Sequence, residues 1–371
     1  MNSAKSLEAA IDPNNRLTFL LDWELTLKCN LDCSYCAKGL YGGHDNSQRH
    51  PALEDSLKTI DFMYQYVDKL MSERRSGFRY VILNVYGGES LHHPHIKTIL
   101  EQARQRHVAY QDRWQLRITT TTNAIVTRKK MADVVKYIDE FTVSYHSETT
   151  PVQKQLFREN ILQIKQAGRD VKCVILMHAR PDLFADSQQQ IEWCKEHNVQ
   201  HLPRQLDHDP ESTHLNYTEK QVIWFDNLYK QRSHSKSQAI VEPVKDENNN
   251  INLADTGRGC CGGRQLCESG NYSDRKFFVN NKFPGWYCSV DKFFLFVKQT
   301  TGEVFVNKDC MMNYRGEVGP IGTLKDTKPM LDSVGRTPTI QCAKSKCYCG
   351  LCAPKAPDIS TYNQILRKYQ V

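Results

Sequence analysis

Strand-like and helix-like segments alternate along this chain from residue 19 to about residue 230. The strand-like segments cover residues 19–27, 80–85, 116–122, 141–145, 171–178 and 199–206. Helical patterns follow them over residues 53–75, 95–107, 127–137, 151–167, 185–197 and from 218 to about 230. Because strands that alternate with helices form parallel sheets, the pattern predicts an α/β fold of six units. In parallel α/β folds the functional residues lie at the carboxyl ends of the strands.

Three cysteines follow the first strand directly. Cys29, Cys33 and Cys36 have the spacing C-x3-C-x2-C, which places three soft ligands suited to iron–sulfur or zinc within eight residues. A closed zinc or cubane site normally uses four protein ligands, so a triplet leaves one metal position open for a substrate or cofactor. Half of a zinc site, or three reduced cysteines in the core, would give the same spacing.

A second motif, Tyr86-Gly87-Gly88-Glu89, ends the second strand-like segment. Two glycines allow the backbone to come close to a ligand, and a carboxylate at a strand end can pair with an ammonium group. The two motifs, with the aromatic Tyr35 before the third cysteine, resemble the signatures of the radical S-adenosylmethionine (SAM) enzymes.

The resemblance implies a partial (β/α)6 barrel and a [4Fe–4S] cluster on Cys29, Cys33 and Cys36. The amino and carboxylate groups of SAM would bind the fourth iron, and one electron would split SAM into methionine and a 5′-deoxyadenosyl radical. The implied cofactor-binding residues are Tyr35, Gly87, Gly88, Glu89, Asn123 and Ser144.

The remaining cysteines are concentrated in the last third of the chain. The chain has 14 cysteines and no apolar leader at its start, which favours metal ligation in a reducing cytosol over disulfides. The run 293–297 and the run 303–306 flank Gly302 and predict a β-hairpin between Cys288 and Cys310. A hairpin followed by clustered cysteines resembles the auxiliary-cluster domains of radical SAM proteins, either the twitch domain with one extra cluster or the SPASM domain with two.

The resemblance implies at least one auxiliary [4Fe–4S] cluster, with ligands drawn from Cys267, Cys288, Cys310, Cys342, Cys347, Cys349 and Cys352. Gly302 lies farther from Cys310 than the SPASM pattern allows, and the closing spacing C-x4-C-x-C-x2-C also departs from it. A twitch-like or divergent SPASM-like domain is therefore expected. A zinc site on the last four of these cysteines is the structural alternative.

The alternating pattern and the resemblance together predict an α/β chain. A partial (β/α)6 barrel is followed by a small cysteine-rich α+β domain that contains a β-hairpin. The predicted boundaries are an N-terminal segment 1–18, a barrel 19–230, a linker or surface hairpin 231–258, an auxiliary-cluster domain 259–356 and a tail 357–371.

The composition and the net charge indicate which binding partners and which compartment to expect. No run of about 18 apolar residues indicates a membrane span, and the missing apolar leader predicts a cytoplasmic protein. The net charge of +7 comes from scattered basic residues, so nucleic acid is not indicated. The resemblance implies an electron donor such as flavodoxin or ferredoxin, and hydrogen abstraction from a peptide or a small polar metabolite. A zinc-stabilised binding module and an iron–sulfur electron-transfer protein are the alternatives.

Overall fold

The structure is a computed structural model that describes residues 18–36, 45–74, 80–206, 217–236, 285–308, 311, 313–336, 339–342, 355–356 and 358–369. Six parallel strands form its first part. They are β1 Thr18–Thr26, β2 Tyr80–Gly87, β3 Gln115–Thr122, β4 Glu140–His146, β5 Asp170–Met177 and β6 Gln200–Gln205. All six predicted strands are present, and they pair in parallel in chain order.

A helix follows each of these strands. The helices are α1 Leu53–Arg74, α2 Ile96–His107, α3 Arg128–Val135, α4 Pro151–Gln166, α5 Pro181–Glu196 and α6 Glu219–Lys236. Helix α5 begins four residues earlier than predicted, because proline is well suited to the first helical position. Helix α6 has the predicted capping box, in which the Thr218 N–H donates to Gln221 Oε1 at 2.8 Å and the Gln221 N–H donates to Thr218 Oγ1 at 3.4 Å.

Short elements make up the last part of the chain. They are β7 Tyr287–Cys288, α7 Val290–Phe293, β8 Phe294–Lys298, β9 Glu303–Phe305, β10 Gly322–Thr323, α8 Lys328–Ser333, β11 Ile340–Gln341, β12 Lys355–Ala356 and α9 Ile359–Tyr369. The predicted hairpin is β8–β9, and Gly302 has a φ of 73° in its turn, a conformation that glycine adopts without strain.

The hairpin lies in the large sheet. Among the described residues this sheet has the order β10-β9-β8-β1-β2-β3-β4-β5-β6, with β8 parallel to β1. The side chains of β1 explain the arrangement, because both faces of the strand are buried. One face carries Phe19, Leu21, Trp23 and Leu25, and the other carries Leu20, Asp22, Glu24 and Thr26. A strand buried on both faces needs a partner on both edges, and β8 is the second partner of β1.

The helix-facing side of the sheet forms the main apolar core. Trp23 and Trp114 are among its largest side chains, and Trp23 Nε1 donates to Gln299 Oε1 at 2.9 Å. Each fully buried aliphatic or aromatic side chain contributes about 1.5–3 kcal/mol to folding. The fold is therefore α/β, a partial barrel with a small C-terminal unit, as predicted. Among the described helices, none has the length and apolar character needed to cross a membrane.

A second, smaller sheet has the antiparallel order β11-β7-β12. Helix α9 packs beside it, where the rings of Tyr287 and Tyr362 have centroids 6.0 Å apart and Tyr362 is fully buried. The predicted domain boundaries at residues 231 and 259 stay a prediction.

Candidate metal centre

The cysteine loop begins directly after β1, at the carboxyl edge of the parallel sheet. Cys33 is buried, whereas Cys29 and Cys36 are half-buried. The loop is folded on itself, because the Cys36 N–H donates to the Cys33 carbonyl at 3.1 Å and the Leu31 N–H donates to Cys29 Sγ at 3.4 Å. All three thiols therefore lie at one end of the barrel, as the motif predicts.

Two of the thiols are poor acids in this environment. Burial raises the pKa of Cys29 to about 11 and that of Cys33 to about 12. Negative charge contributes to both pKa shifts. It comes from Glu89 and Cys36 at Cys29, and from Glu148, Cys29 and Cys36 at Cys33, so the three sulfurs are electrostatic neighbours. Three thiolates at this place need a bound cation, because metal binding is what removes their protons.

The donor set fits an iron–sulfur cluster. Within the described ranges, no three or more His, Cys, Asp or Glu side chains come together closely enough to hold one metal ion. In a polynuclear cluster each thiolate binds a different iron, and three thiolates leave the fourth iron free.

Gly87 and Gly88 hold the end of β2 against the backbone of the cysteine loop. The Gly88 N–H donates to the Thr26 carbonyl at 2.8 Å, and the Glu89 N–H donates to the Lys28 carbonyl at 2.8 Å. A Cβ on Gly87 would lie 2.0 Å from the Thr26 oxygen, and a Cβ on Gly88 would lie 2.4 Å from the Leu27 oxygen. The sequence predicts a close approach to a ligand, but the close approach in the structure is to residues 26–28.

Glu89 is fully buried, and its carboxylate accepts three hydrogen bonds. Oε1 accepts from the Leu91 N–H at 2.9 Å and from the Thr122 hydroxyl at 2.7 Å, and Oε2 accepts from the Asn123 N–H at 2.6 Å. Burial raises the pKa of Glu89, and the three donors oppose that shift. In the structure Glu89 joins the ends of β2 and β3, and its predicted pairing with an ammonium group stays a prediction.

Asn123 connects the end of β3 to the cysteine loop. Its Nδ2 donates to Asn30 Oδ1 at 2.8 Å and lies 3.8 Å from Cys29 Sγ, while its Oδ1 accepts from the Ile125 N–H at 2.9 Å. The prediction that Asn123 lies at the site therefore agrees with its position. Asn30, which also donates to the Ile125 carbonyl at 2.7 Å, was not singled out from the sequence, although it lies within the motif.

The end of β4 contacts the cysteine loop from the other side. His146 Nδ1 lies 2.7 Å from the Tyr35 hydroxyl and 3.4 Å from Cys33 Sγ. Glu148 accepts from the Ser34 N–H at 2.8 Å and from the Ser34 hydroxyl at 2.5 Å. Glu148 has no signal in the sequence, because a single acid in a turn is ordinary. Burial lowers the pKa of His146 to about 4, partly opposed by Glu148.

Ser144 lies two residues before the end of β4 and is half-buried, on the same strand face as His146. The sequence predicts Ser144 at the strand end, but β4 continues to His146.

Tyr35 is buried, and the contact of its hydroxyl with His146 Nδ1 orients it. Its ring is parallel to that of His146 at a centroid distance of 6.0 Å.

A row of polar side chains lies on the inner face of the sheet, below the cysteine loop. Asp22 accepts from Asn84 Nδ2 at 2.7 Å, and Glu24 lies opposite Lys298 of β8 and Tyr86 of β2 in the strand register. Glu24 is 1% exposed, and within the described part of the chain its Oε1 has no hydrogen-bond partner. In the sequence, the charged residues Asp22 and Glu24 lie within the mainly apolar run 19–27, and this pattern could have identified the row.

The C-terminal cysteines are only partly described. Cys288 is the last residue of β7, and Cys342 directly follows β11, the antiparallel neighbour of β7. Both cysteines are buried, and the Cys342 N–H donates to the Trp286 carbonyl at 2.8 Å. Cys342 lies two residues after Ile340, which is the register partner of Cys288. The other predicted auxiliary ligands lie outside the described residues: Cys267, Cys310, Cys347, Cys349 and Cys352.

No protein-family model matches the chain, and no curated protein matches its sequence. Its fold is similar to solved structures of anSMEcpe with bound AdoMet. A native anSMEcpe structure with bound AdoMet has a TM-score of 0.51 and 11% identity, and a structure with AdoMet and the Kp18Cys peptide has 0.50 and 10%. Both alignments cover 86% of this chain and 81% of the other. The chain therefore shares the fold of these AdoMet-bound structures over most of its length, in agreement with the α/β fold that its sequence predicts.

Proposed function

We propose that this chain is a radical SAM enzyme whose cluster is held by Cys29, Cys33 and Cys36. One observation supports this most directly: three strand ends hold a loop of three thiols that has no fourth thiol of its own. The ends of β2, β3 and β4 contact this loop through Gly88, Asn123 and His146. When bound, the cluster supplies one electron for the cleavage of SAM into methionine and a 5′-deoxyadenosyl radical.

The residues of the chain have separate roles in this proposal. The glycines fix the loop against β2, Glu89 and Asn123 orient its first half, and His146 and Glu148 orient its second half. The residues proposed to face SAM, as the resemblance implies, are Tyr35, Gly87, Gly88, Glu89, Asn123 and Ser144. Cys33 is buried and Cys29 and Cys36 are half-buried, so bulk water has limited access to the thiols. A lower local dielectric strengthens the charge interactions of a bound cofactor.

The proposed substrate is a peptide or a protein side chain. The support is the solved structure of similar fold that contains both AdoMet and the Kp18Cys peptide. The polar inner face beneath the cysteine loop, with Glu24, Asp22 and Lys298, would meet the substrate. A carboxylate and an ammonium group on one face suit the hydrogen-bond donors and acceptors of a peptide backbone.

The proposal also includes an auxiliary cluster in the C-terminal unit, the cellular compartment and the electron donor. Cys288 and Cys342 would ligate an auxiliary [4Fe–4S] cluster in a twitch-like or SPASM-like domain over residues 259–356, with the remaining ligands from the undescribed cysteines. That cluster would accept or donate an electron after hydrogen abstraction. The enzyme would work in the cytoplasm and receive electrons from a flavodoxin or ferredoxin.

The experiment is to purify the full chain anaerobically, reconstitute it with iron and sulfide, and measure 5′-deoxyadenosine formed from SAM with dithionite. Wild-type protein is expected to form it, and C29A/C33A/C36A is expected to form none while keeping iron at the C-terminal cysteines. C173A is the matched control, because Cys173 is a buried cysteine of β5 outside the loop. A colourless zinc protein, or a brown protein that does not cleave SAM, would support the binding module or the electron-transfer protein instead.

A further inference from the structure

One nitrogen of His146 lies beside both a thiol and a phenol. Its Nδ1 is 3.4 Å from Cys33 Sγ and 2.7 Å from the Tyr35 hydroxyl oxygen, and the Tyr35 and His146 rings are within 4° of parallel. The histidine is the last residue of β4, and the cysteine lies in the loop after β1, 113 residues earlier in the chain. The fold alone brings them together.

We propose that His146 donates its Nδ1–H to the sulfur of Cys33 when that sulfur binds the cluster, and that this hydrogen bond raises the cluster's reduction potential. The inference rests on the proposed function, because it requires a cluster on the cysteine triplet. A thiolate that ligates iron carries no proton, so it can only accept a hydrogen bond. The imidazole can supply the N–H that such a sulfur needs.

The direction of the effect follows from charge. Reduction adds one negative charge to the cluster, and part of that charge resides on the ligating sulfurs. A hydrogen bond to a sulfur stabilises the reduced form more than the oxidised form, and such bonds are among the factors that set cluster potentials. His146 is thus a positioning residue that acts on the cluster through Cys33.

Tyr35 is the competing donor. Its hydroxyl lies close to both His146 Nδ1 and Cys33 Sγ, so its proton could be directed to either atom. If the Tyr35 O–H were the donor to Cys33 Sγ, His146 would only hold the tyrosine in place and would not itself donate to the sulfur. The variants H146F and Y35F separate the two arrangements, because each removes one donor and keeps an aromatic ring.

A second histidine provides a matched control. His178 follows β5 and lies beside the same tyrosine, with ring centroids 6.0 Å apart. Its two nitrogens have other neighbours: Nδ1 accepts from the Arg180 N–H at 2.9 Å, and Nε2 faces Glu148 at 3.7 Å. The variant H178F therefore removes a nearby imidazole without removing a donor to Cys33.

The test is a redox titration of the full reconstituted chain with dithionite, without SAM, followed by electron paramagnetic resonance. The signal of interest is the one that C29A/C33A/C36A lacks. H146F is expected to make reduction of this cluster about tenfold less favourable, a shift of about 59 mV to lower potential for one electron. H146Q, which keeps a side-chain N–H donor, is expected to restore part of the shift, and H178F is expected to leave the potential unchanged.

A spectroscopic measurement keeps the proposal testable if H146F does not fold. Protein labelled with ¹⁵N-histidine is expected to show hyperfine coupling between one histidine nitrogen and the reduced cluster, retained in H178F. Absence of that coupling in wild-type protein, or an unchanged potential in H146F, overturns the hydrogen bond. A lower potential in Y35F alone also overturns it, because the tyrosine would then be the donor. If wild-type protein shows no cluster signal that the triple variant lacks, the proposed function fails first, and the inference with it.

Discussion

The carboxylate of Glu89, two residues beyond β2, accepts the backbone N–H of Asn123, directly after β3, at 2.6 Å. The same carboxylate accepts the Thr122 hydroxyl at 2.7 Å. Through this contact the ends of two adjacent strands are fixed to each other, and the Asn123 side chain is directed to Asn30 and the first cysteine. The buried Glu89 side chain thus positions the loop that carries the candidate metal ligands.

Replacing Glu89 by alanine is expected to destabilise the protein by about 3 kcal/mol or more. The change leaves the donors of Leu91, Thr122 and Asn123 buried without their acceptor, and each such donor costs about 1–3 kcal/mol. The measurement is urea unfolding of the full chain without iron. The control E54A removes an exposed helical carboxylate and is expected to unfold like the wild type. Wild-type stability in E89A, combined with lost SAM binding, would show that the carboxylate serves the ligand and not the strand ends.

Gly88→Ala is expected to move the cysteine loop away from β2. The new Cβ would lie 2.4 Å from the Leu27 oxygen and 2.5 Å from the Lys28 oxygen, and both are backbone atoms that cannot move alone. The expected result is a loss of iron from the N-terminal site after reconstitution, together with reduced stability. Gly168→Ala is the control, because nothing lies within 4 Å of its new Cβ and its φ of 68° adds only about 1–2 kcal/mol of strain. Equal iron contents in the two variants would contradict the steric account.

Asn160→Ala is expected to disturb the loop after β3, because Asn160 supports that loop from helix α4. The side chain of Asn160 in α4 is fully buried, and its Nδ2 donates to the carbonyls of Ala124 at 2.8 Å and Val126 at 2.7 Å. Two buried carbonyls without this donor are expected to cost about 2–6 kcal/mol in urea unfolding. Gln163→Ala is the control one turn along α4. Gln163 is half-buried and its Nε2 donates a single hydrogen bond, to the Arg128 carbonyl, so its loss should cost much less. Similar losses in both variants would argue against a special role for Asn160.

Glu24 is expected to make stability depend on pH. Burial raises the pKa of Glu24 above its ordinary value of 4.5, with Lys298 opposing the shift. The folded state therefore holds this proton more tightly than the unfolded state does. As pH rises from about 4.5 through the raised pKa, the folded state loses stability, because it must ionise a buried acid.

Comparison with E24Q isolates this contribution. The wild type is expected to lose unfolding free energy relative to E24Q as pH rises from 4.5 towards neutrality, measured by urea unfolding at several pH values. The opposite slope would mean that Lys298, and not burial, dominates the carboxylate. D68N, at a partly exposed carboxylate that pairs with Arg113, controls for general charge effects.

The strand and helix pattern of the barrel was predictable because it depends on neighbours in the chain. Period-two and helical spacing located β1 to β6 and their helices, and only details differed, such as the start of α5 at Pro181. The placement of the cysteine triplet at the carboxyl edge followed from the same pattern. Asn123 was also expected at that edge, because it directly follows β3.

The sequence by itself determined the order of elements, the spacing of Cys29, Cys33 and Cys36, and the edge of the sheet on which they lie, since these depend on local periodicity. Only the tertiary structure decided that β8 is the second neighbour of β1, that Glu89 joins two strand ends, and that His146 meets Cys33. These are pairings between distant residues. Local propensity does not encode them, because the partner of a strand edge or a buried polar group is chosen by satisfying hydrogen bonds once the whole chain has packed.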